Sequence, residues 1–280
     1  AIAHYKPTVM QATPVTWSML LRVGWNNSEK VKILCGGEAL GASLQEYFMQ
    51  SHSDVWNMYG PTETTIWSTC YKLTGGSTAR IGSPIHNTEV LVLDDQLKLV
   101  PFGAIGHLYI GGVGLAEGYL NQPELTRERF IVNPFDNHHR IYQTGDLVRW
   151  AMSEAGEKAE LEYLGRADFQ VKHRGYRIEP GAIEVVLQRN NMVSDACVLI
   201  RDYQTGPRLV AYCTSVFGKL MPDTWREWAR LSLPEYMVPS NYYQLNELPL
   251  TPNGKIDRKQ LLAMPVDDDA AVKDYVSPVS

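Results

Sequence analysis

The chain has 280 residues, 44% of them hydrophobic and 20% charged, with a formal charge of −5. This balance describes a folded protein of two or three packed units, and it excludes a disordered chain or a basic surface built for nucleic acid or an anionic membrane. No apolar run approaches the roughly 20 residues of a membrane span, so a cytoplasmic setting with no membrane partner is expected.

The opening Ala1-Ile2-Ala3-His4 is no signal peptide and lacks an initiator Met, so the segment is expected to belong to something longer. Cys35, Cys70, Cys197 and Cys213 are scattered without Cys-x-x-Cys spacing, which suits reduced core thiols rather than a metal site or a disulfide framework.

In chain order, Thr13 suits an N-cap and Pro14 a first helical position. Trp17, Leu20 and Leu21 share a face before Gly24 ends that helix. Val31 to Cys35 reads as a short buried strand, and Ser43 with Glu46 as a capping box over a helix with Leu44, Tyr47 and Phe48 inward. This is α/β material, whose post-strand loops bind ligands.

From about residue 75 the pattern turns to short strands punctuated by glycine and proline, including Val90–Val100 and Gly106–Ile110, as far as Leu164. After Asp168 helices and strands mix. Ile183, Val186 and Leu187 lie on one helix face, strands are expected at Ala196–Arg201 and Leu209–Thr214, and Trp225, Trp228 and Ala229 mark another helix. The tail beyond Pro265, with Asp267-Asp268-Asp269, reads as a linker.

Four clusters carry chemistry. Asn57-Met58-Tyr59-Gly60-Pro61-Thr62-Glu63-Thr64-Thr65 sets an aromatic face, a hydroxyl and a carboxylate within five residues, the parts needed for a purine, a phosphate and Mg²⁺. Tyr142-Gln143-Thr144-Gly145-Asp146-Leu147 offers a carboxylate that caps a turn or accepts from both hydroxyls of a ribose. Gly165-Arg166-Ala167-Asp168 to Arg174-Gly175-Tyr176-Arg177 clusters basic groups around glycine at the composition break, as a solvated face or a hinge would. Asn253-Gly254-Lys255 is hairpin-turn chemistry presenting a lysine.

In this order and spacing, with Gly106 to Gly112, Gly118-Tyr119-Leu120 and Leu233 to Pro239, the clusters closely resemble the core motifs of nonribosomal peptide synthetase adenylation domains. These are adenylate-forming enzymes, and the likeness runs from about residue 7 to 278. It implies a mixed α/β and β fold: part of an α/β subdomain (1–74), a distorted β-barrel subdomain (75–167), a small mobile α+β domain (168–265) and a linker toward a carrier domain (266–280).

It also implies an activity, in which Mg-ATP activates an amino acid to aminoacyl-AMP and the acyl group passes to the phosphopantetheine thiol of a peptidyl carrier domain. By resemblance Tyr59 stacks on adenine, Gly37, Glu38 and Ala39 line its edge, Thr62 contacts phosphate and Glu63 binds Mg²⁺. Asp146 holds the ribose with Tyr163 and Arg166 beside it, Lys255 is the catalytic lysine, Asp168 the hinge, and Arg174 with Gly175 the thiolation loop.

Gln11, Leu34, Gly36, Met58, Ile66 and Trp67 take the side-chain pocket. Bulky and uncharged, they resemble the pocket of glycine-activating members, with alanine the next choice. His173 stands where isoleucine is commoner and Ala182 where glutamate is usual, which leaves the thiolation loop less defined. The family's phosphate loop and amino-binding aspartate fall upstream of residue 1, so the segment alone is expected to be a poor catalyst. Two alternatives stay open: an acyl- or aryl-CoA synthetase of the same family, and a non-catalytic remnant that docks a carrier protein.

Overall fold

A computed structural model describes residues 2–50, 53–74, 80–153, 156–168, 170–203, 206–215, 222–251 and 255–265. The chain forms two compact units, Ala1–Asp168 and Phe169–Ser280. The tail expected as a linker lies outside the described residues.

The first unit opens with α1 (Ile2–Tyr5), β1 (Val9–Ala12) and α2 (Pro14–Arg22). Thr13 caps α2 as the sequence predicts, its Oγ1 accepting from the Thr16 amide at 3.4 Å, and Gly24 leaves the helix at φ +87°. Next come β2 (Lys32–Gly36), α3 (Ala42–Gln50) and β3 (Val55–Tyr59). The capping box does not form: α3 begins at Ala42, so Ser43 sits inside the first turn and the Gly41 carbonyl receives the Gln45 amide.

β1, β2 and β3 pair in parallel, Gln11 opposite Leu34 and Gly36 opposite Met58. Strand alternation divides them into two faces. Ile33, Cys35 and Val55 pack on Trp17, Leu44 and Phe48 of the helices. Leu34, Gly36 and Met58 face the other way with Gln11. Burial pushes the Cys35 thiol up to about 12, so it stays protonated and behaves as a core apolar group.

A 3-10 turn over Thr62–Thr64 follows β3, then β4 (Thr69–Lys72), β5 (Arg80–Pro84), β6 (Thr88–Leu93), β7 (Gly106–Gly112), α4 (Pro123–Arg129), β8 (Phe130–Asn133), β9 (Asp136–Met152) and β10 (Ala159–Arg166). These form one ten-stranded sheet in the order β1-β2-β3-β4-β5-β10-β9-β7-β6, with β8 branching from β9.

The expected barrel is therefore not closed among the described residues. β4 joins β3 and β5 in antiparallel ladders, so β5 has its two edges on β4 and β10 and leaves none for β6. The expectation of short strands also fails at β9, which runs through 17 residues. Arg80 ties the sheet together from inside, bonding Glu160 at 3.0 Å and the Met152 carbonyl at 2.8 Å.

The second unit starts with a hairpin of β11 (Val171–His173) and β12 (Tyr176–Ile178). Its two-residue turn puts Arg174 at φ +52° and Gly175 at φ +82°, the signs a type I′ turn requires. Then follow α5 (Pro180–Gln188), β13 (Val193–Tyr203), β14 (Gly206–Ser215), α6 (Pro222–Ser232), β15 (Asn241–Gln244) and α7 (Arg258–Ala263).

β13, β14 and β15 make a three-stranded sheet buried on both faces. Val198 and Ala211 pack with Ile183, Leu187, Trp225 and Ala229 on one side. Leu199, Val210 and Tyr212 pack with Leu248 and Leu261 on the other. No helix of the described residues is long and apolar enough to cross a membrane.

Candidate active site

Three loops leave the carboxyl ends of the adjacent parallel strands β1, β2 and β3, the edge where open α/β sheets bind ligands. Gly37, Glu38 and Ala39 lie in the second of these loops, with Gly37 at φ +93°. The third carries Gly60 to Thr64. A methyl on Gly60 would meet the Ile66 carbonyl oxygen at 2.4 Å, so only glycine lets this loop fold back on itself. Thr65 (φ +61°) and Ile66 (φ +71°) are consecutive left-handed residues without glycine's freedom, a costly backbone for β-branched side chains. They turn Trp67 back over the sheet.

There the indole settles on Gly36. A methyl on Gly36 would come within 2.6 Å of the ring and 2.4 Å of the Met58 carbonyl oxygen. The ring's Nε1 donates to Gln11 Oε1 at 3.0 Å. Gln11, Leu34, Gly36, Met58 and Trp67 thus share one sheet face, and no charged group is among them. Ile66, the sixth residue expected in the pocket, is 60% exposed.

The residues expected at the nucleotide are linked through Asp146. The Tyr59 hydroxyl donates to Asp146 Oδ2, and Arg166 Nη1 donates to Asp146 Oδ1 at 3.0 Å. Arg166 is a fork between two carboxylates, since Nε and Nη2 also reach Asp168 at 2.5 and 2.7 Å. Its Nη2 meets the Thr144 carbonyl at 3.2 Å, and Thr144 Oγ1 accepts from the Asp146 amide at 3.0 Å.

Tyr59 and Asp146 are 6% and 3% exposed, so nucleotide contact here needs the Tyr59–Asp146–Arg166 bonds to rearrange. Tyr163 lies beside Tyr59, ring centroids 6.3 Å apart. Burial first, then the Asp146 charge, raise the Tyr59 hydroxyl well above the usual phenol range and Tyr163 to about 12. Both remain neutral donors in ordinary buffers.

Thr62 is exposed at the start of its turn, while Glu63 is buried. Glu63 Oε1 accepts from the hydroxyls of Tyr119 at 2.7 Å and Tyr142 at 2.8 Å. Burial and these bonds raise the Tyr119 hydroxyl above the usual range. Among the described residues no group of three or more His, Cys, Asp or Glu is placed to share a metal. A single carboxylate beside a turn with an exposed hydroxyl suits Mg²⁺, which takes one or two carboxylates and completes its shell with phosphate and water.

The remaining predicted residues lie in the second unit. Lys255 is exposed, its carbonyl accepting from the Thr251 amide at 2.7 Å beside a Leu250–Ile256 bridge. Asn253 and Gly254 lie outside the described residues. Asp257 caps α7 through the Gln260 amide at 3.0 Å, and Arg258 is fixed to Glu184 at 2.8 Å, which anchors the segment just after Lys255. Arg174 and Gly175 form the hairpin turn already described, and Ala182 is exposed in the first turn of α5. His173 is buried in β11 beside that turn, its Nδ1 without a hydrogen-bond partner among the described residues, and burial followed by the Arg174 charge lowers its pKa.

Sequence reasoning gave no role to Tyr119, Tyr142 or Thr144, although all three stand inside motifs it singled out. The signal available was a pair of tyrosines in otherwise glycine-rich or polar motifs.

The AMP-binding enzyme model matches residues 1–120, and the AMP-binding enzyme C-terminal domain model matches residues 182–255. The dimodular nonribosomal peptide synthase of Bacillus subtilis is 43% identical over 265 residues, covering 94% of this chain and 11% of the relative. The malpinin synthetase of Mortierella alpina is 45% identical over 263 residues, 89% of this chain and 3% of the relative. The chain therefore spans a small part of the curated relatives it matches.

A four-domain nonribosomal peptide synthetase solved with AMP and glycine is 42% identical, with TM-score 0.52 over 97% of this chain and 20% of that one. A nonribosomal peptide synthetase protein with adenylation and carrier domains, solved with a vinylsulfonamide inhibitor, is 28% identical, with TM-score 0.78 over 93% of this chain and 45% of that one. An amide bond synthetase from Marinactinospora thermotolerans, 20% identical at TM-score 0.79, shares the fold. On the two family models together, the chain belongs to the AMP-binding, adenylate-forming enzyme family.

Proposed function

We propose that this chain is the C-terminal half of a nonribosomal peptide synthetase adenylation domain, which activates glycine with Mg-ATP and passes it to a carrier-domain thiol. The observation that carries the substrate is the Trp67 indole resting on Gly36, held by Gln11. On the sheet face available to a substrate side chain this leaves room for hydrogen and offers no charge to a basic or acidic group.

The nucleotide lies across the loops after β2 and β3. Asp146, released from Tyr59, accepts the ribose hydroxyls, while Arg166 keeps the carboxylate oriented. Tyr59 and Tyr163 border the base. Thr62 bonds phosphate, and Glu63 would hold Mg²⁺, which when bound neutralises charge on the phosphate oxygens.

Lys255 presents an ammonium to the substrate carboxylate and the α-phosphate as they meet, offsetting the charge that gathers there without moving a proton. The second unit turns about Asp168 so that Lys255 and the Arg174–Gly175 turn take the site alternately, for adenylation and for thiol transfer. In this reading the family's phosphate loop and amino-binding aspartate belong to the other half of the domain.

The test is Lys255→Ala in this chain joined to that upstream half. ATP–pyrophosphate exchange is expected to fall by about 10²–10³ or more while ATP binding persists. Exchange at the wild-type rate would remove Lys255 from the chemistry.

A further inference from the structure

The loop Gly112–Tyr119 wraps the Thr62–Thr65 turn at four points. The Ala116 amide donates to the Glu63 carbonyl at 2.9 Å, and Thr65 Oγ1 donates to the Gly114 carbonyl at 2.7 Å. A methyl on Gly114 would stand 3.0 Å from the Thr64 carbonyl oxygen, so the two backbones nearly touch. The Tyr119 hydroxyl then reaches Glu63 Oε1, where Tyr142 from β9 arrives as well.

Tyr119 is itself anchored. Its amide donates to Thr126 Oγ1 of α4 at 2.9 Å, and Gly118 presses so close to Thr126 that a methyl there would overlap Cγ2 at 2.4 Å. Its ring meets Phe130 edge-on at 5.5 Å, and Phe130 meets Tyr142 at 5.0 Å. The aromatic stack fixes both hydroxyls on one carboxylate oxygen, and so fixes the rotation of the Glu63 carboxyl about its last bond.

We propose that Tyr119 and Tyr142 are positioning residues of the adenylation site, aiming the Glu63 carboxylate at the metal of the bound Mg-ATP. This rests on the reading of Glu63 as the metal-facing group. It explains the Gly118-Tyr119-Leu120 motif, whose loop and tyrosine hold the phosphate-facing turn in register with β9. Two neutral donors on one oxygen orient the carboxylate without adding a positive charge that would repel the cation.

The test follows Mn²⁺ binding in the presence of ATP by electron paramagnetic resonance, on this chain joined to its upstream half, together with thermal melting. Tyr119→Phe keeps the ring against Phe130 and removes only the hydroxyl. It is expected to raise the Mn²⁺ dissociation constant by on the order of tenfold, the worth of one hydrogen bond to a charged group. Tyr142→Phe is expected to do the same. The double variant should lose less than the product of the two, because both act on one oxygen.

Unchanged Mn²⁺ affinity in both single variants, even with lower melting temperatures, would overturn the positioning role and leave a purely structural one. Glu63→Gln in the same experiment separates the two readings. If Glu63→Gln binds Mn²⁺ as the wild type does, or the wild type binds none with ATP, the metal-facing role of Glu63 fails and this proposal with it.

Discussion

Gly145→Ala perturbs the centre of the Asp146–Arg166–Asp168 cluster without replacing any of its side chains. Gly145 sits at φ +78°, where an L-residue costs about 1–2 kcal/mol. Its new methyl would also stand 2.6 Å from Arg166 Nη2 and 2.7 Å from Asp168 Oδ2. Bonds to Asp146, Asp168 and the Thr144 carbonyl pin the Arg166 fork, so relief requires giving up at least one charge-assisted bond, worth about 1.5–3 kcal/mol. Together these come to about 2.5–5 kcal/mol.

Gly156→Ala supplies the control. Gly156 has φ +70° and nothing among the described residues within 4 Å of its added methyl, so it serves as the reference for the backbone cost. Urea unfolding of both variants and the wild type, read at a matched slope, gives the difference. Gly145→Ala is expected to lose about 2 kcal/mol more than Gly156→Ala, and to weaken ATP binding where Gly156→Ala does not. Equal losses would mean that the Arg166–Asp168 fork yields freely, and would refute the reading of Asp146 as a carboxylate held by a rigid guanidinium.

Trp67→Leu removes the indole from Gly36 and its bond to Gln11. Since one methyl group is discriminated by about 10–200-fold in such pockets, the exchange ratio of glycine to alanine should fall toward unity; an unchanged ratio would show that the indole does not set the limit. His173→Ile concerns pH. The buried imidazole has a folded pKa below its unfolded value, so its burial is harmless above about pH 6.5 and costs stability as pH falls through the folded value. The second unit should therefore weaken in urea as pH falls below about 6.5, and His173→Ile should flatten that slope; an equally steep slope in the variant would point to other groups.

Local signals carried much of the fold. Thr13, Pro14 and the Trp17 face mark α2 because capping and periodicity are decided within a few residues. Ser43 misleads for the same reason: a hydroxyl three residues before Glu46 looks like a cap, but the helix gains a residue at Ala42 and draws Ser43 inside. The open sheet is not legible, because pairing of β4 with both β3 and β5 is a choice of partner that composition does not encode. The Thr144-Gly145-Asp146 stretch can be read in the sequence as a capped turn, yet Gly145, with its positive φ, lies inside the continuous β9.

At the site, the motifs mark Tyr59, Glu63, Asp146 and Arg166 as chemistry-bearing one by one. What binds them is long-range. Tyr59 and Asp146 are 87 positions apart, and Glu63 meets Tyr142 across 79. Only the folded sheet shows Asp146 already engaged on both oxygens, and Glu63 clasped by two tyrosines that no spacing rule connects.

The measurement that bears most directly on the proposed function is amino-acid-dependent ATP–pyrophosphate exchange across the twenty standard amino acids, with this chain joined to its upstream half. Exchange is expected to peak at glycine, with alanine a weak second. A peak at a large side chain would keep the reaction and contradict the closed pocket formed by Trp67 and Gly36. Exchange with no amino acid, in a protein that still binds ATP, would contradict the central claim and favour a synthetase acting on another acid or a domain that no longer catalyses.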